Sequence, residues 1–143
     1  MSERTVRIAI GALALVGAAI AGYLTYAHYA HAQVFCASGG CETVQSSRYA
    51  EVLGVPVAVL GLGAYLALLA TAVVPGERAR VVGVSLALAA FGFSWYLVYV
   101  QLAVIGALCQ WCLASDTVTT AIAALALVRL APLSLRREAE TTT

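Results

Sequence analysis

The chain has 143 residues, of which 62% are hydrophobic and 10% are charged, and its formal net charge is +1. A soluble domain of this length needs more charged surface than this, so the composition excludes one and indicates a membrane protein. The near-neutral charge gives no argument for a nucleic-acid partner, and the hydrophobic content excludes intrinsic disorder over the body of the chain.

The apolar residues form four runs, each about as long as a membrane-spanning helix. Crossing about 30 Å of hydrocarbon takes roughly 20 helical residues, and backbone polar groups in lipid must be hydrogen-bonded within the segment. We therefore expect an all-α membrane protein, a four-transmembrane-helix bundle that forms a single domain over 1–143. The helices are predicted at about 6–27, 55–74, 81–108 and 112–130.

The placement of arginine predicts the orientation of these helices. Basic residues concentrate on the cytoplasmic side of membrane proteins, and seven of the eight arginines lie at run ends that share one face. Only Arg48 lies on the opposite side. This predicts a plasma-membrane protein with both termini in the cytoplasm and with 28–55 and 109–112 outside. The seven are Arg4, Arg7, Arg78, Arg80, Arg129, Arg136 and Arg137.

A cleaved signal peptide is the alternative interpretation of the first run. The run is longer than the apolar region of a signal peptide, and AHAQV at 30–34 is the one plausible cleavage sequence. Cleavage there would leave three spans and put the two cysteine pairs on opposite faces. We therefore expect the first helix to be retained.

The outer loop predicts a turn followed by a short helix. In CASGGC, at 36–41, two glycines permit positive φ and favour a tight turn. The stretch SSRYAEVLG at 46–54 predicts a helix with Ser46 or Ser47 as its N-cap and Gly54 at its end. Its apolar face suits the membrane surface or the top of a bundle, so we expect a short extracytoplasmic cap helix.

All four cysteines lie on the predicted outer side, as two close pairs. Structural disulfides are the default expectation for cysteines in an oxidising compartment. Cys109 and Cys112 are better suited to disulfide exchange than to a structural disulfide. They lie at the predicted start of a helix, whose positive end lowers a thiol pKa, and the thiolate is the nucleophile of disulfide exchange. Together with Cys36 and Cys41 they also resemble zinc ligands in spacing. An oxidising location disfavours four free thiolates, so we expect no metal.

Two cysteine pairs also suit an electron relay that ends in the membrane. The sequence has no flavin, haem or nucleotide motif, so a lipid quinone is the expected acceptor.

Asp116, one turn after Cys112, is ionisable within an apolar run and indicates function by default, although an acid at a helix start is a comparable interpretation. Aromatic residues cluster late in the third run. Core packing or an interfacial belt explains most of them, and Trp95 and Tyr99 are candidates for contact with a quinone.

These residues resemble the vitamin K epoxide reductase (VKOR) family in its bacterial form. The resemblance rests on C-x4-C, then VQSSRYAEVLGVP, then GLGAYL, and finally C-x-x-C after the third long run, and it covers about residues 6–130. It implies a four-helix bundle around a quinone, either ubiquinone or menaquinone, with a short outer helix over it.

The resemblance also implies a role for each site residue. Cys36 would exchange with a reduced partner, and Cys41 would pass electrons to Cys109. Cys112 would lie next to the quinone ring. Ser47 would help to close the cap and to shape or gate the redox loop.

Asp116 stands where animal members of the family carry a tyrosine implicated in ring binding.

The expected partner is a separate extracytoplasmic thioredoxin-fold, DsbA-like protein, since no thioredoxin domain is fused to the chain. The expected reaction is net disulfide formation with reduction of a lipid quinone. The alternatives are a DsbB-like quinone-dependent thiol oxidase, in which the C-x-x-C pair comes first, and a non-enzymatic membrane scaffold with structural disulfides.

Overall fold

The four apolar runs form four long helices, whose backbone hydrogen bonds are made within each helix as lipid requires. The computed structural model describes residues 2–142, apart from the side chains of 132–134, 136 and 137. Three of the long helices are long and apolar enough to cross a membrane, and the fourth is a shorter apolar helix. The predicted all-α four-helix bundle is confirmed, and a short cap helix is present, although at other residues than predicted. The helices are α1 (Glu3–Ala30), α2 (Cys41–Gln45), α3 (Val57–Val73), α4 (Glu77–Tyr99) and α5 (Gln110–Thr141).

The third run ends earlier than its apolar composition predicts. Helix α4 passes into a π-helical segment, Val100–Ile105, and Gly106 follows with a φ of 72°. Glycine adopts this left-handed conformation without a steric penalty, so it ends helices well. Residues 106–109 are therefore not helical, and they carry the chain from the bundle to the start of α5.

Small and branched side chains fill the centre of the bundle. Helix α1 packs against α3 and α5, and α4 packs against α5 and α3. Alanines at several of the contacts let the backbones approach closely. The buried cluster consists of Val6, Ile10, Ala14, Ala21, Tyr65, Leu68, Ala72, Val84, Ala87, Ile122 and Ala126.

The connection between α1 and α3 corrects one prediction. The helix predicted at 46–54 is wrong, because the short helix is α2 and Ser46 is its C-terminal cap. A 3₁₀ turn (Arg48–Ala50) and two antiparallel strands, β1 (Glu51–Val52) and β2 (Val55–Pro56), follow it. Leu53 and Gly54 have φ of 53° and 82°. Positive φ at both central residues is typical of a two-residue hairpin turn, so Gly54 turns a hairpin and does not end a helix.

Three of the arginines assigned to the inner face lie at one end of the bundle. Arg80 and Arg129 both reach Glu3 at the start of α1. Arg7 donates to the carbonyl oxygens of Ala72 and Val73 at the end of α3, at 2.8 and 2.6 Å. The side chains of Arg136 and Arg137 lie outside the described residues.

Candidate redox site

The loop pair is a disulfide at the start of the cap helix. Cys36 is bonded to Cys41, the first residue of α2. The backbone N–H of Cys41 also donates to Cys36 Sγ at 3.3 Å. Cys41 is buried and Cys36 is half-buried. One sulfur of this disulfide therefore faces the interior, while the other lies closer to solvent.

The second pair lies at the N-terminus of α5, as its spacing predicts. Cys109 and Cys112 are free thiols. Cys109 is the N-cap, and its sulfur accepts a hydrogen bond from the backbone N–H of Cys112 at 3.3 Å. The backbone N–H of Cys109 donates to Gln101 Oε1 at 2.9 Å. The cysteine therefore takes the position where a helix satisfies its first orphan donors.

The fold brings all four cysteines into one packed cluster. Cys41, Val44 and Cys109 form its buried centre, and the other two cysteines pack against it. The outward-lying member is Cys36. The member that faces the bundle is Cys112, which lines an internal cavity. The sequence separates the pairs by more than 60 residues, and the tertiary structure joins them.

The two residues between Cys109 and Cys112 hold the loop disulfide in place. Gln110 Oε1 accepts from the backbone N–H groups of Ala37 and Ser38, at 2.9 and 3.3 Å. The indole of Trp111 donates to the carbonyl of Phe35 at 2.6 Å. These bonds dock segment 35–38 directly on the C-x-x-C motif.

Two further contacts tighten this docking. The hydroxyl of Ser38 donates to the Leu108 carbonyl at 3.0 Å. A Cβ on Gly40 would collide with the backbone of Leu108, so glycine permits the loop to approach this closely. Gly39 has a φ of 78°, which fits the tight turn predicted there.

Gln45 reaches from the cap helix to both sulfurs of the second pair. Its Nε2 lies 3.3 Å from Cys112 Sγ and 3.8 Å from Cys109 Sγ. The pKa of Cys109 is lowered to about 7, chiefly by a hydrogen bond from the Cys112 thiol. Burial raises it, whereas the Cys112 backbone N–H and the Gln45 amide lower it further. Cys109 is therefore a thiol poised to ionise near neutral pH.

A cavity of about 370 Å³ lies between the cap and the helices. This volume lies in the range of small-molecule sites. Its lining is mostly aliphatic and aromatic, and Cys112 and Asp116 both border it. Asp116 Oδ1 accepts from the Ser94 hydroxyl at 2.5 Å. Its buried Oδ2 has no hydrogen-bond partner among residues 2–142. An apolar cavity bordered by a thiol and by a carboxyl group, which can donate to a ring oxygen when protonated, fits the polar ring and apolar body of a quinone.

The structure divides the other predicted site residues between two places. Ser47 lines the cavity, and its hydroxyl donates to the Val44 carbonyl at 2.7 Å. Trp95 and Tyr99 do not line it, and their side chains are 53% and 60% exposed on the outer surface of α4. The positions of α4 that line the cavity include Ala90, Phe93, Ser94 and Leu97. Neighbours in a helix differ by about 100° in direction, which puts Trp95 and Tyr99 on another face.

Sequence reasoning missed the glutamines of the site. Gln45, Gln101 and Gln110 contact the cysteine motif or its docked loop, and the chain has only one other glutamine, Gln33. A signal was available, since Gln101 interrupts an apolar run and Gln110 lies inside the C-x-x-C motif. Tyr65 was also missed. Its buried hydroxyl lies 2.7 Å from Ser115 Oγ and 2.8 Å from Thr119 Oγ1.

No group of three or more His, Cys, Asp or Glu side chains within residues 2–142 is placed to hold a metal ion.

Residues 8–127 match the Vitamin K epoxide reductase family, VKOR. The matched segment runs from the first helix into the last and contains both cysteine pairs. Because the match covers most of the chain, the protein belongs to the Vitamin K epoxide reductase family, membership of which implies a thiol–quinone oxidoreductase.

Proposed function

We propose that the protein is a membrane oxidoreductase that generates disulfides. Electrons from a reduced thioredoxin-fold, DsbA-like partner would pass through Cys36 and Cys41 to Cys109 and Cys112, and on to a lipid quinone. The observation that carries this proposal is the single cluster of four cysteines, whose inner member borders an apolar cavity.

Exposure supports the order of transfer. The less buried Cys36 is the sulfur that a partner thiolate would attack, and this exchange oxidises the partner dithiol and reduces the loop disulfide. Cys41 would then attack Cys109 of an oxidised C-x-x-C pair, forming a Cys41–Cys109 bond and releasing Cys112 as a thiolate. Attack by Cys36 on Cys41 restores the loop disulfide and frees Cys109. Two electrons and two protons have then moved from the loop pair to the inner pair.

A Cys36–Cys41 disulfide together with free thiols at Cys109 and Cys112 is the state expected after these exchange steps. A quinone bound in the cavity would supply an acceptor of two electrons and two protons. Cys112 would face its ring. Asp116, when protonated, would donate from its unpartnered Oδ2 to the ring oxygen, and Ser94 holds the carboxyl group by donating to Oδ1. Ser47 holds the turn that covers the cavity. Ubiquinone and menaquinone both have this ring chemistry.

The cavity lining supports a lipid molecule as the acceptor. Leu60 of α3 and Phe93 of α4 border the cavity and are also exposed on the outside of the bundle. The apolar lining therefore continues to the surface that faces lipid, which suits a molecule with a long apolar tail.

We infer a bacterial plasma-membrane protein that forms one domain, with both termini in the cytoplasm and the cysteine cluster outside. The arginines at the Glu3 end of the bundle support this orientation, since basic residues favour the cytoplasmic side. A reporter protein that folds only in the cytoplasm should therefore be active when it is fused to either terminus. A terminus that reports from the outside would overturn the orientation.

The proposal is tested by quinone reduction with purified protein. The donor is a reduced DsbA-like protein, the acceptor is a short-chain ubiquinone or menaquinone, and each cysteine is replaced in turn by alanine. We expect wild type to turn over and all four variants to fail. Dithiothreitol should rescue Cys36→Ala and Cys41→Ala but neither inner variant. A scaffold with structural disulfides predicts no cysteine-dependent quinone reduction, and that result would overturn the relay.

A further inference from the structure

Gln45 and Cys41 lie on the same face of the cap helix. They are four residues apart, which places side chains one above the other on a helix. Cys41 belongs to the buried cluster with Cys109, and the Gln45 amide reaches Cys112 Sγ at 3.3 Å. The cap helix therefore places Cys41 in the same packed cluster as Cys109 and puts the Gln45 amide on Cys112.

We propose that Gln45 is a further catalytic residue, whose amide N–H stabilises the Cys112 thiolate that is released when Cys41 attacks Cys109. This inference rests on the proposed function. In that step the Cys41–Cys109 bond forms, the Cys109–Cys112 bond breaks, and the electron pair of the broken bond goes to Cys112. Gln45 is the side chain that donates to this sulfur.

A neutral amide suits this position. The cavity beside Cys112 is largely apolar, and a permanent charge buried there without a partner would be costly. An amide donates a hydrogen bond to a thiolate and carries no net charge when the thiolate is absent. Hydrogen bonds to charged groups are also stronger than those between neutral groups.

The second contact of Gln45 points to the same role. Its Nε2 is 3.8 Å from Cys109 Sγ, and it is among the groups that lower the pKa of Cys109. The amide is therefore placed to stabilise negative charge on either sulfur. Because it belongs to the helix that begins with Cys41, the donor and the attacking cysteine arrive together.

The test uses Gln45→Met, which keeps the length of the side chain and removes the donor. The matched control is Gln33→Met, in an exposed glutamine of the same connection. With the loop disulfide intact, Cys109→Ala leaves Cys112 as the only free thiol. Adding Gln45→Met to that background should slow alkylation of Cys112 by iodoacetamide at neutral pH about tenfold. Gln33→Met should leave it unchanged.

A second measurement follows turnover with the four cysteines present. Gln45→Met should lower the rate of quinone reduction about tenfold with either donor, and Gln45→Glu should lower it at least as much, because a carboxylate repels a thiolate. Thermal unfolding in detergent shows whether the variants remain folded. Wild-type alkylation and turnover in folded Gln45→Met would overturn the role of Gln45. Loss of quinone reduction in wild type would instead overturn the proposed function, and alkylation would still decide the role of Gln45.

Discussion

Gln110 and Trp111, the two residues inside the C-x-x-C motif, also bind the loop that carries the other cysteine pair. Their side chains bind three backbone groups of segment 35–38. Tyr23 supports them, since its hydroxyl accepts from the Phe35 N–H at 3.1 Å and its ring lies 5.2 Å from that of Trp111. The loop disulfide is thus positioned by the residues next to its expected target.

We predict that Gln110→Leu weakens transfer from the loop to the inner pair. The variant removes the acceptor for two backbone N–H groups, and turnover with the protein donor should fall about tenfold. Turnover with dithiothreitol, which can bypass the loop, should change little. Gln110→Glu keeps an acceptor oxygen and should retain most of the activity. Equal losses with both donors would show that Gln110 does not act through loop docking.

At the scale of elements, the contact between α1 and α3 depends on Gly17. A Cβ at this position would collide with the ring of Tyr65. That ring is buried, and its hydroxyl contacts Ser115 and Thr119 on α5. One glycine therefore lets Tyr65 tie three helices together beside the cavity.

Gly17→Ala should destabilise the bundle. Overpacking of this kind costs about 1–3 kcal/mol, and it should lower the melting temperature measured in detergent. Gly22 on the same helix is the matched control, because a Cβ there meets nothing within 4 Å. Gly22→Ala should be neutral or stabilising, since alanine favours helix by about 0.5–1 kcal/mol over glycine. Similar melting temperatures for the two variants would contradict the role given to the Tyr65 contact.

At the scale of the whole molecule, Glu3 joins three helices at the end of the bundle away from the cysteines. Its Oε1 lies 2.8 Å from Arg129 Nε and 3.3 Å from Arg80. Arg129 is only 3% exposed and also donates to the Thr71 carbonyl at 3.2 Å. A buried guanidinium needs both a counter-charge and hydrogen bonds. The first turn of α1 therefore closes the bundle at the end opposite the cysteines.

Glu3→Gln should destabilise the fold by about 1.5–3 kcal/mol, the range for hydrogen bonds to charged groups. Glu3 is 40% exposed, so the loss should be smaller than for a fully buried pair. Glu77→Gln, in an exposed residue at the start of α4, is the control and should change stability little. Thermal unfolding in detergent measures both. A Glu3→Gln protein as stable as wild type would show that the pair makes no net contribution.

Features that depend on local spacing could be predicted from the amino-acid sequence. Four apolar runs predict four helices because the thickness of lipid sets their length. The two cysteine pairs predict redox chemistry because each spacing brings two thiols close enough to form a disulfide, and the C-x-x-C pair lies at a helix start, where a thiolate is favoured. Local reasoning failed at 46–54, where Ser46 follows the cap helix and Leu53 and Gly54 form a hairpin turn.

Which side chains meet is evident only once the helices have packed. Nearly every residue of a span is apolar, so no amphipathic pattern distinguishes Ser94, at the cavity, from Trp95, on the outer surface. The Gln45–Cys109 and Gln110–Ala37 contacts join residues 64 and 73 positions apart. No local pattern encodes such pairs, because they exist only after the helices have packed and brought the outer loop over the start of α5.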